Sequence, residues 1–303
     1  MSVPREARAL ETMKRKSSLM KREPRRHGCL MPIGGAENKV RDRVVLRRFI
    51  EMCGGDAARL VIVPTASRLE DTGPRYEKVF LELGAADARS LPIETRKDAS
   101  NPDFVSALEG ATGVFLTGGN QLRLSTTLGG TDFGDALIER NLDGLHVGGT
   151  SAGAAILSDH MIAFGDEGST PTGDMVTLAP GLGLTRRYII DQHFRQRDRL
   201  GRLMAALSYN PMNVGIGLDE DTAAIIDPRG KIEVCGSGGL TVVDPKDVEF
   251  SSMDSSDPEH PVCVTGVRLH ILVDGGTFDL ETRRALPRDR STPVSPKLSS
   301  KGV

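Results

Sequence analysis

This chain of 303 residues has no apolar run approaching the ~20 residues that span a bilayer, so no membrane partner is expected. Its four cysteines are widely separated, with neither the paired spacing of a zinc site nor a dense disulfide framework. That pattern predicts no metal and favours a reduced, cytoplasmic compartment. The formal net charge of −2 argues against general binding to nucleic acid. The composition, 38% hydrophobic and 26% charged, is consistent with a soluble enzyme.

Charge is distributed unevenly along the chain. Residues 1–27 hold nine Lys or Arg and three Asp or Glu, a local charge of +6, which leaves −8 for the remainder. Because this leader lacks the apolar core of a secretory signal, we interpret it as a flexible basic extension. From residue 287 onward the tail is rich in Pro, Ser, Lys and Arg, a composition typical of disorder. Residues 28–286 are predicted to form a single domain, of which 223–286 is β-rich.

Strand-like and helix-like segments alternate over the first two thirds of the chain. The strand-like runs lie at 29–33, 60–64, 88–92, 113–117, 145–148 and 188–191. The helix-like runs lie near 39–52, 74–84, 102–109, 132–141 and 152–160. Such alternation predicts an α/β fold with a doubly wound, mainly parallel sheet. Short β-like segments after residue 214 predict extra C-terminal β-strands, added antiparallel at one edge.

One turn is a candidate for chemistry. Gly149-Thr-Ser-Ala-Gly153 matches the Gly-x-Ser-x-Gly pattern, in which small residues let a strand turn sharply into a helix and expose a serine hydroxyl. An apolar run through Val147 precedes the turn, and a helix-like stretch follows it. Ser151 is therefore the candidate nucleophile. A chain with 34 glycines also produces this pattern as an ordinary tight turn, which is the alternative.

A serine nucleophile needs a base within hydrogen-bond reach and donors for the oxyanion. His193 follows an apolar run where a strand of an open α/β sheet would end, the edge at which active groups gather. We predict His193 as the base; the alternative is a strand-end histidine paired with Asp191. The backbone N–H groups of Ala152 and Gly119 are the predicted oxyanion donors.

An arginine-rich segment follows His193. Apolar residues recur at helical spacing from Leu200 to Leu207 and predict a buried stripe. On a helical wheel Arg195, Arg199 and Arg202 lie opposite this stripe, and Arg197 lies at its edge. Arg197 is thus predicted to face inward, where a guanidinium suits recognition of a carboxylate. The alternative is a solvated face.

Seven segments then connect the chain to a known family. They are Gly34-Gly-Ala-Glu37, Val63-Pro-Thr-Ala-Ser67, Phe115-Leu-Thr-Gly-Gly-Asn-Gln121, Gly149-Thr-Ser-Ala-Gly-Ala154, Ala179-Pro-Gly-Leu-Gly-Leu184, Asp191-Gln-His-Phe-Arg-Gln-Arg-Asp-Arg-Leu-Gly-Arg-Leu203 and Gly215-Ile-Gly-Leu-Asp-Glu-Asp-Thr-Ala223. Through them the chain resembles the cyanophycinases, serine peptidases related to aspartyl dipeptidase E. The resemblance implies a sheet of the class I glutamine amidotransferase-like, flavodoxin-like type.

The resemblance also implies the reaction. Cyanophycin, multi-L-arginyl-poly-L-aspartate, would be hydrolysed to β-Asp-Arg dipeptides through an acyl-enzyme, with attack expected at the isopeptide carbonyl. The resemblance implies no metal and no organic cofactor. It implies a homodimer. The partners would be the polymer or β-aspartyl peptides. The resemblance assigns substrate binding to Gln121, Asp191, Gln192, Arg197, Arg199 and Arg202. The acidic triplet Asp219-Glu-Asp221 is either a further contact for the substrate's guanidinium or a polar turn.

One position departs from the family pattern. The family places an acidic residue two positions before a proline to orient the histidine, but here Ser169 stands two positions before Pro171. Glu167, with Asp166 beside it, is the nearby substitute that we expect to reach His193. The alternative is that both acids are solvated loop charges.

Two other functions stay open at this stage. One is an aspartyl or isoaspartyl dipeptidase that cuts short peptides. The other is a catalytically weakened, ligand-binding relative in which Ser169 has removed the acid. The sequence does not decide between arginine-bearing and lysine-bearing polymer.

Overall fold

The structure is a computed structural model that describes residues 27–288 except 256 and 258. The basic leader up to residue 26 and the tail from residue 289 lie outside the described residues.

Seventeen strands are present in the described part of the chain. In chain order they are β1 (Leu30–Ile33), β2 (Arg59–Val63), β3 (Asp87–Ser90), β4 (Gly113–Leu116), β5 (His146–Thr150), β6 (His160–Gly165), β7 (Val176–Pro180), β8 (Tyr188–Gln192), β9 (Val214–Leu218), β10 (Thr222–Ile226), β11 (Lys231–Gly236), β12 (Leu240–Asp244), β13 (Phe250–Ser251), β14 (Val264–Thr265), β15 (Arg268–Leu272), β16 (Thr277–Asp279) and β17 (Arg284–Leu286).

The helices lie in the connections between these strands. They are α1 (Val44–Met52), α2 (Thr72–Glu82), α3 (Pro102–Ser106), α4 (Gln121–Leu128), α5 (Asp132–Leu142), α6 (Ala152–Ala155) and α7 (Leu200–Tyr209). Single 3₁₀ turns occur at Gly55–Ala57, Asp98–Ser100 and Arg195–Arg197. In the part of the chain that the structure describes, no helix is long and apolar enough to cross a membrane.

The main sheet has nine strands in the order β17-β16-β11-β10-β1-β5-β4-β2-β3. Its half from β1 to β3 is parallel, and β10, β11, β16 and β17 extend it antiparallel from the β1 side. The predicted mainly parallel α/β fold with extra C-terminal strands is therefore confirmed.

A second, four-stranded sheet departs from the simple prediction. Its order is β15-β12-β9-β8, with β8 parallel to β9. The run at 188–191, expected to continue the alternation of the main sheet, thus lies in a separate sheet as β8. Two-stranded ribbons β6-β7 and β13-β14 complete the sheets.

Side chains of the central parallel strands lie alternately on the two faces of the main sheet, and both faces are buried. On one face of the main sheet, Met31 and Phe115 pack with residues of α1 and α2. On the other face, Val114 and Val147 pack with α3 to α6 and with inward residues of the second sheet, such as Ile190. The outer face of that second sheet carries α7. Because both faces of β4 and β5 are covered, their carboxyl ends form a protected edge.

The helix after the Ser151 turn is shorter than the sequence predicts. The pattern indicated a helix over 152–160, but α6 ends at Ala155. The backbone of the next residues pairs with a distant segment instead: Thr185 N donates to Leu157 O, and Asp159 N donates to Thr185 O. This long-range pairing satisfies the groups that another helical turn would have used.

We expect Phe115→Ala to lower the free energy of unfolding by about 3–5 kcal/mol, because the fully buried ring packs within 5.4 Å of three aromatic centroids, those of Phe49, Tyr76 and Phe80. Urea unfolding followed by circular dichroism measures it. The matched control is Phe250→Ala, whose side chain is exposed. Equal losses in the two variants would contradict the role of this cluster.

Candidate active site

Ser151 stands on a strained turn between β5 and α6. Its backbone has φ 52° and ψ −112°, a conformation that non-glycine residues rarely adopt. The two glycines of the motif are required by packing. A Cβ on Gly149 would lie 2.1 Å from Gly153 O, and a Cβ on Gly153 would lie 2.1 Å from Leu116 O. The motif therefore presents the serine at the carboxyl edge of the main sheet, as a nucleophile elbow does.

His193 comes to this serine from the second sheet. It directly follows β8, has a φ of 47°, and places Nε2 3.1 Å from Ser151 Oγ. The structure therefore brings together the two side chains that the sequence pairs as nucleophile and base.

The carboxylate beside the imidazole belongs to Glu220, not to Glu167. Glu220 Oε1 lies 2.6 Å from His193 Nδ1, opposite the nitrogen that faces Ser151. Glu167 is exposed on the loop after β6, where Gly168 N donates to Asp198 O. That bond holds the loop against the segment leading into α7. The expectation for Glu167 is thus corrected, and Ser169 is likewise an exposed loop residue.

The contact of Glu220 with His193 follows from the pairing of two strands. Glu220 lies two residues beyond the end of β9, and β9 is parallel to β8. The carboxyl ends of β8 and β9 therefore meet at one edge, where both His193 and Glu220 stand. The triplet at 219–221 was interpreted only as a guanidinium contact or a polar turn.

The electrostatic surroundings keep the imidazole neutral. Burial is the largest effect and lowers the pKa of His193 below its ordinary value of 6.5. The hydrogen bond and charge of Glu220 raise that pKa, and the charges of Arg197 and Arg199 lower it. With a lowered pKa, His193 is unprotonated near neutral pH and can accept a proton from Ser151.

Gly34 and Gly35 form the joint between the two sheets. His193 N donates to Gly34 O at 2.8 Å. A Cβ on Gly34 would lie 2.0 Å from Asp219 O, and a Cβ on Gly35 would lie 2.4 Å from the His193 ring. Only glycine fits at both positions, so the loop after β1 packs against the imidazole and fixes its place.

Glu37 anchors the same loop beneath the nucleophile. Its buried carboxylate accepts hydrogen bonds from the hydroxyls of Thr150 and Tyr76, and Lys39 Nζ lies 2.7 Å from Oε1. Burial and this carboxylate raise the pKa of Tyr76. Glu37 thereby connects Thr150, the residue before Ser151, to Tyr76 of α2 and to the loop after β1. These contacts stabilise the Ser151 turn.

The two predicted oxyanion donors stand on either side of the serine. Ala152 N begins α6 directly after Ser151. Gly119 follows Gly118, at which a Cβ would lie 3.3 Å from Ser151 Cβ. Gly119 has φ 143° and packs so closely on Ala66 O that a Cβ would lie 2.1 Å from it. The backbone after β4 thus approaches the nucleophile as an oxyanion site requires.

The arginine segment differs from the helical-wheel expectation. Arg199 and Arg202 are buried, at 7% and 4% exposure, and Arg197 is exposed. For Arg199 the wheel fails because α7 begins only at Leu200, and a left-handed residue, Asp198, separates it from the preceding 3₁₀ turn. Arg202 lies inside α7 and is covered by its contacts with Asp191 and the carbonyl of Gly165. Arginines predicted to face solvent therefore point inward, and the one predicted inward lies at the surface.

Asp191 is the counter-ion of the two buried arginines. Arg202 Nε donates to Asp191 Oδ2 at 2.7 Å, and Arg199 Nη1 lies 3.5 Å from Oδ1. Burial lowers the pKa of Arg199 to about 10. Its Nε is buried without a hydrogen-bond partner in the described part of the chain.

The two glutamines among the predicted binding residues have different surroundings. Gln192 Oε1 lies 3.3 Å from Ser151 Oγ, within the site. Gln121 Nε2 donates to the carbonyls of Ile162 and Ala163, so its amide links α4 to β6. No group of three or more His, Cys, Asp or Glu among the described residues could hold a metal ion.

Comparison with known proteins agrees with this geometry. The model of peptidase family S51 matches residues 30–233. Cyanophycinase of Nostoc sp. (strain PCC 7120) is 41% identical over 261 residues, 86% of this chain and 88% of that protein. Cyanophycinase of Thermosynechococcus vestitus is 40% identical over 259 residues, 85% and 80% of the two chains. The crystal structure of a peptidase from an acI-B1 Actinobacterium shares the fold, with a TM-score of 0.62 at 21% identity over 85% of this chain and 99% of that one.

We expect Gly35→Ala to slow the reaction of Ser151 with a serine-directed fluorophosphonate by more than about tenfold, because the added methyl displaces the His193 ring that activates the hydroxyl. The rate is followed by intact mass. Gly84→Ala is the matched control: its φ of 97° equals the 98° of Gly35, but nothing lies within 4 Å of the added Cβ. Equal slowing in both variants would mean that backbone strain alone is responsible.

We expect Glu220→Gln to slow the same labelling reaction by at least about a hundredfold, because the imidazole loses the carboxylate that fixes its tautomer and stabilises its charged form. The labelling that remains should also persist to lower pH than in wild type. Glu220 raises the pKa of His193, so its removal lowers that pKa, and the neutral base persists further into acid. Glu167→Gln is the control and should leave rate and pH profile unchanged. A large loss in Glu167→Gln with none in Glu220→Gln would reverse the assignment.

Proposed function

Since the chain belongs to peptidase family S51 and is a serine peptidase, we propose that it is an exopeptidase that hydrolyses cyanophycin to β-Asp-Arg dipeptides through an acyl-enzyme. The observation that carries the proposal is the hydrogen-bonded series Ser151, His193 and Glu220 in a chain about 40% identical to cyanophycinases over most of its length. Neither a metal nor an organic cofactor has a part in the proposed reaction.

In the proposed mechanism His193 Nε2 takes the proton of Ser151 Oγ while Oγ bonds to the substrate carbonyl carbon. The carbonyl oxygen becomes an oxyanion that accepts hydrogen bonds from the N–H groups of Gly119 and Ala152. The tetrahedral intermediate collapses, the C–N bond breaks, and His193 gives its proton to the leaving amine. Water then attacks the Ser151 ester by the same sequence of proton transfers and frees the enzyme. Glu220 holds the imidazole and stabilises its charged form throughout.

The product determines which bond is broken. A β-Asp-Arg dipeptide still contains the amide between the aspartate β-carboxyl and arginine. The carbonyl attacked by Ser151 must therefore belong to the peptide bond of the poly-aspartate main chain. This corrects the expectation of attack at the isopeptide carbonyl, since that reaction would release free arginine.

Arginines beside the triad support recognition of this substrate. Each unit of cyanophycin carries one free carboxylate and one guanidinium. The exposed Arg197, whose charge acts on His193, offers donors for a carboxylate. The carboxylate of Asp219 is occupied by Arg195 and by the backbone N–H of Gly239. Asp191 and Arg202 neutralise one another, and we assign them to positioning Arg199 and Gln192.

The alternatives have less support. A weakened binding relative was inferred from the acid missing at Ser169, but Glu220 occupies the place of that acid beside His193. A dipeptidase acting on short aspartyl peptides would share the triad, and the relatives that cover most of this chain are cyanophycinases. The experiment below separates it from the proposal.

The cellular compartment, the oligomeric state and the domain bounds belong to the same proposal. We propose a cytoplasmic enzyme, supported by four cysteines that are all free thiols. We propose a homodimer, on the family resemblance. We propose that residues 28–286 form one peptidase domain.

We expect wild-type protein to release soluble β-Asp-Arg from insoluble cyanophycin and Ser151→Ala to release none, because without the hydroxyl no acyl-enzyme forms. Released dipeptide is quantified by mass spectrometry. Ser169→Ala is the matched control and should match wild type, because that serine is an exposed loop residue. Cleavage of free aspartyl dipeptides without release from the polymer would instead establish the dipeptidase.

A further inference from the structure

A second charged cavity lies on the same edge of the main sheet as Ser151. It has a volume of about 530 Å³, and we call it the β2–β3 cavity because its walls are the segments that follow those two strands. Its charged lining residues are Arg68, Glu70, Glu94 and Arg123. The volume is within the range of small-molecule sites, about 300–1,000 Å³.

The β2–β3 cavity is connected structurally to the oxyanion loop. Arg123 Nη1 donates to Ser67 O at 2.8 Å, and Asn120 N donates to Ala66 O at 3.0 Å. Ala66 O is also the atom against which Gly119 packs. Ser67, the residue after Ala66, lines the cavity, so the segment on which the oxyanion loop packs also forms part of the cavity wall.

The charges of the cavity are available to a ligand. Arg68, Glu70 and Glu94 are exposed, and none of the three side chains forms an ion pair with a residue that the structure describes. Arg123 is partly buried and oriented by its bond to Ser67 O. Two guanidinium groups and two carboxylates thus line one cavity, together with the exposed apolar side chain of Leu69.

We propose that the β2–β3 cavity binds a unit of the substrate polymer remote from the bond that is cut. Each unit offers one carboxylate and one guanidinium, which match an arginine and a glutamate of the cavity. The methylene groups of the arginyl arm match the apolar side chain of Leu69. The proposal rests on the proposed function and adds a binding site to it.

Distance indicates that the bound unit is not adjacent to the cleaved bond. In the order β5-β4-β2-β3, the boundary of β2 and β3 lies two to three strand spacings from β5, or about 10–14 Å. An extended main chain advances about 3.3–3.6 Å per residue, so the cavity accepts roughly the third or fourth unit from Ser151. A substrate of two units lacks the unit that the proposal places in the cavity.

The test compares substrates of different length. The variant combines Arg68→Gln, Glu70→Gln and Glu94→Gln. We expect its kcat/KM for (β-Asp-Arg) oligomers of eight units to fall about tenfold, and its kcat/KM for the two-unit substrate to stay unchanged, because remote contacts contribute only when the substrate reaches them. Unchanged two-unit hydrolysis also shows that the variant is folded.

The matched control is Glu109→Gln, Glu139→Gln and Arg186→Gln, which changes net charge equally at exposed positions outside this cavity. It should behave as wild type. An equal fall on both substrates, no fall on the long one, or a fall in the control variant would each overturn the proposal. If wild type hydrolyses neither substrate, the proposed function has failed instead, so the two failures are distinguishable.

Discussion

The close packing of Gly34 and Gly35 against the other sheet is the constraint on which the site depends. Ser151 belongs to the nine-stranded sheet, but His193 and Glu220 belong to the four-stranded one. The link at 219–221 joins β9 of one sheet directly to β10 of the other, and the packing of Gly34 and Gly35 fixes how the two sheets meet beside Ser151. Two backbones with no room for a Cβ leave little freedom to slide. The imidazole is thereby placed between its two partners before substrate arrives.

Charge around the triad is balanced rather than simply positive. Burying guanidinium groups without counter-ions would be costly, and Asp191 offsets that cost for Arg199 and Arg202. Burial and the charges of Arg197 and Arg199 lower the pKa of His193, whereas Glu220 raises it. The base is thus kept neutral but still able to hold a proton transiently.

Sequence reasoning succeeded where a local pattern carries the geometry. The fold class and the Ser151 turn follow from short-range rules of alternation and glycine placement, and the pairing of Ser151 with His193 follows from the rule that active groups gather at strand ends. It failed where the outcome depends on distant segments. Glu220 reaches His193 only because β8 and β9 are parallel neighbours in a second sheet, and no local signal separates β8 from a strand of the main sheet. The prediction for Arg199 failed because Asp198, with a φ of 44°, interrupts the expected helix.

A polymer with one positive and one negative charge per unit places a particular demand on its enzyme. Such a chain has no net charge, so a uniformly charged surface gains little by attracting it. Recognition must come from opposite charges held at defined positions, repeated along the path of the chain. The carboxyl edge of the main sheet has that character, with arginines and acids beside His193 and again in the β2–β3 cavity. Because the strands end there side by side, one edge of the sheet positions the nucleophile and sets the spacing of the charges to which we assign binding of the polymer.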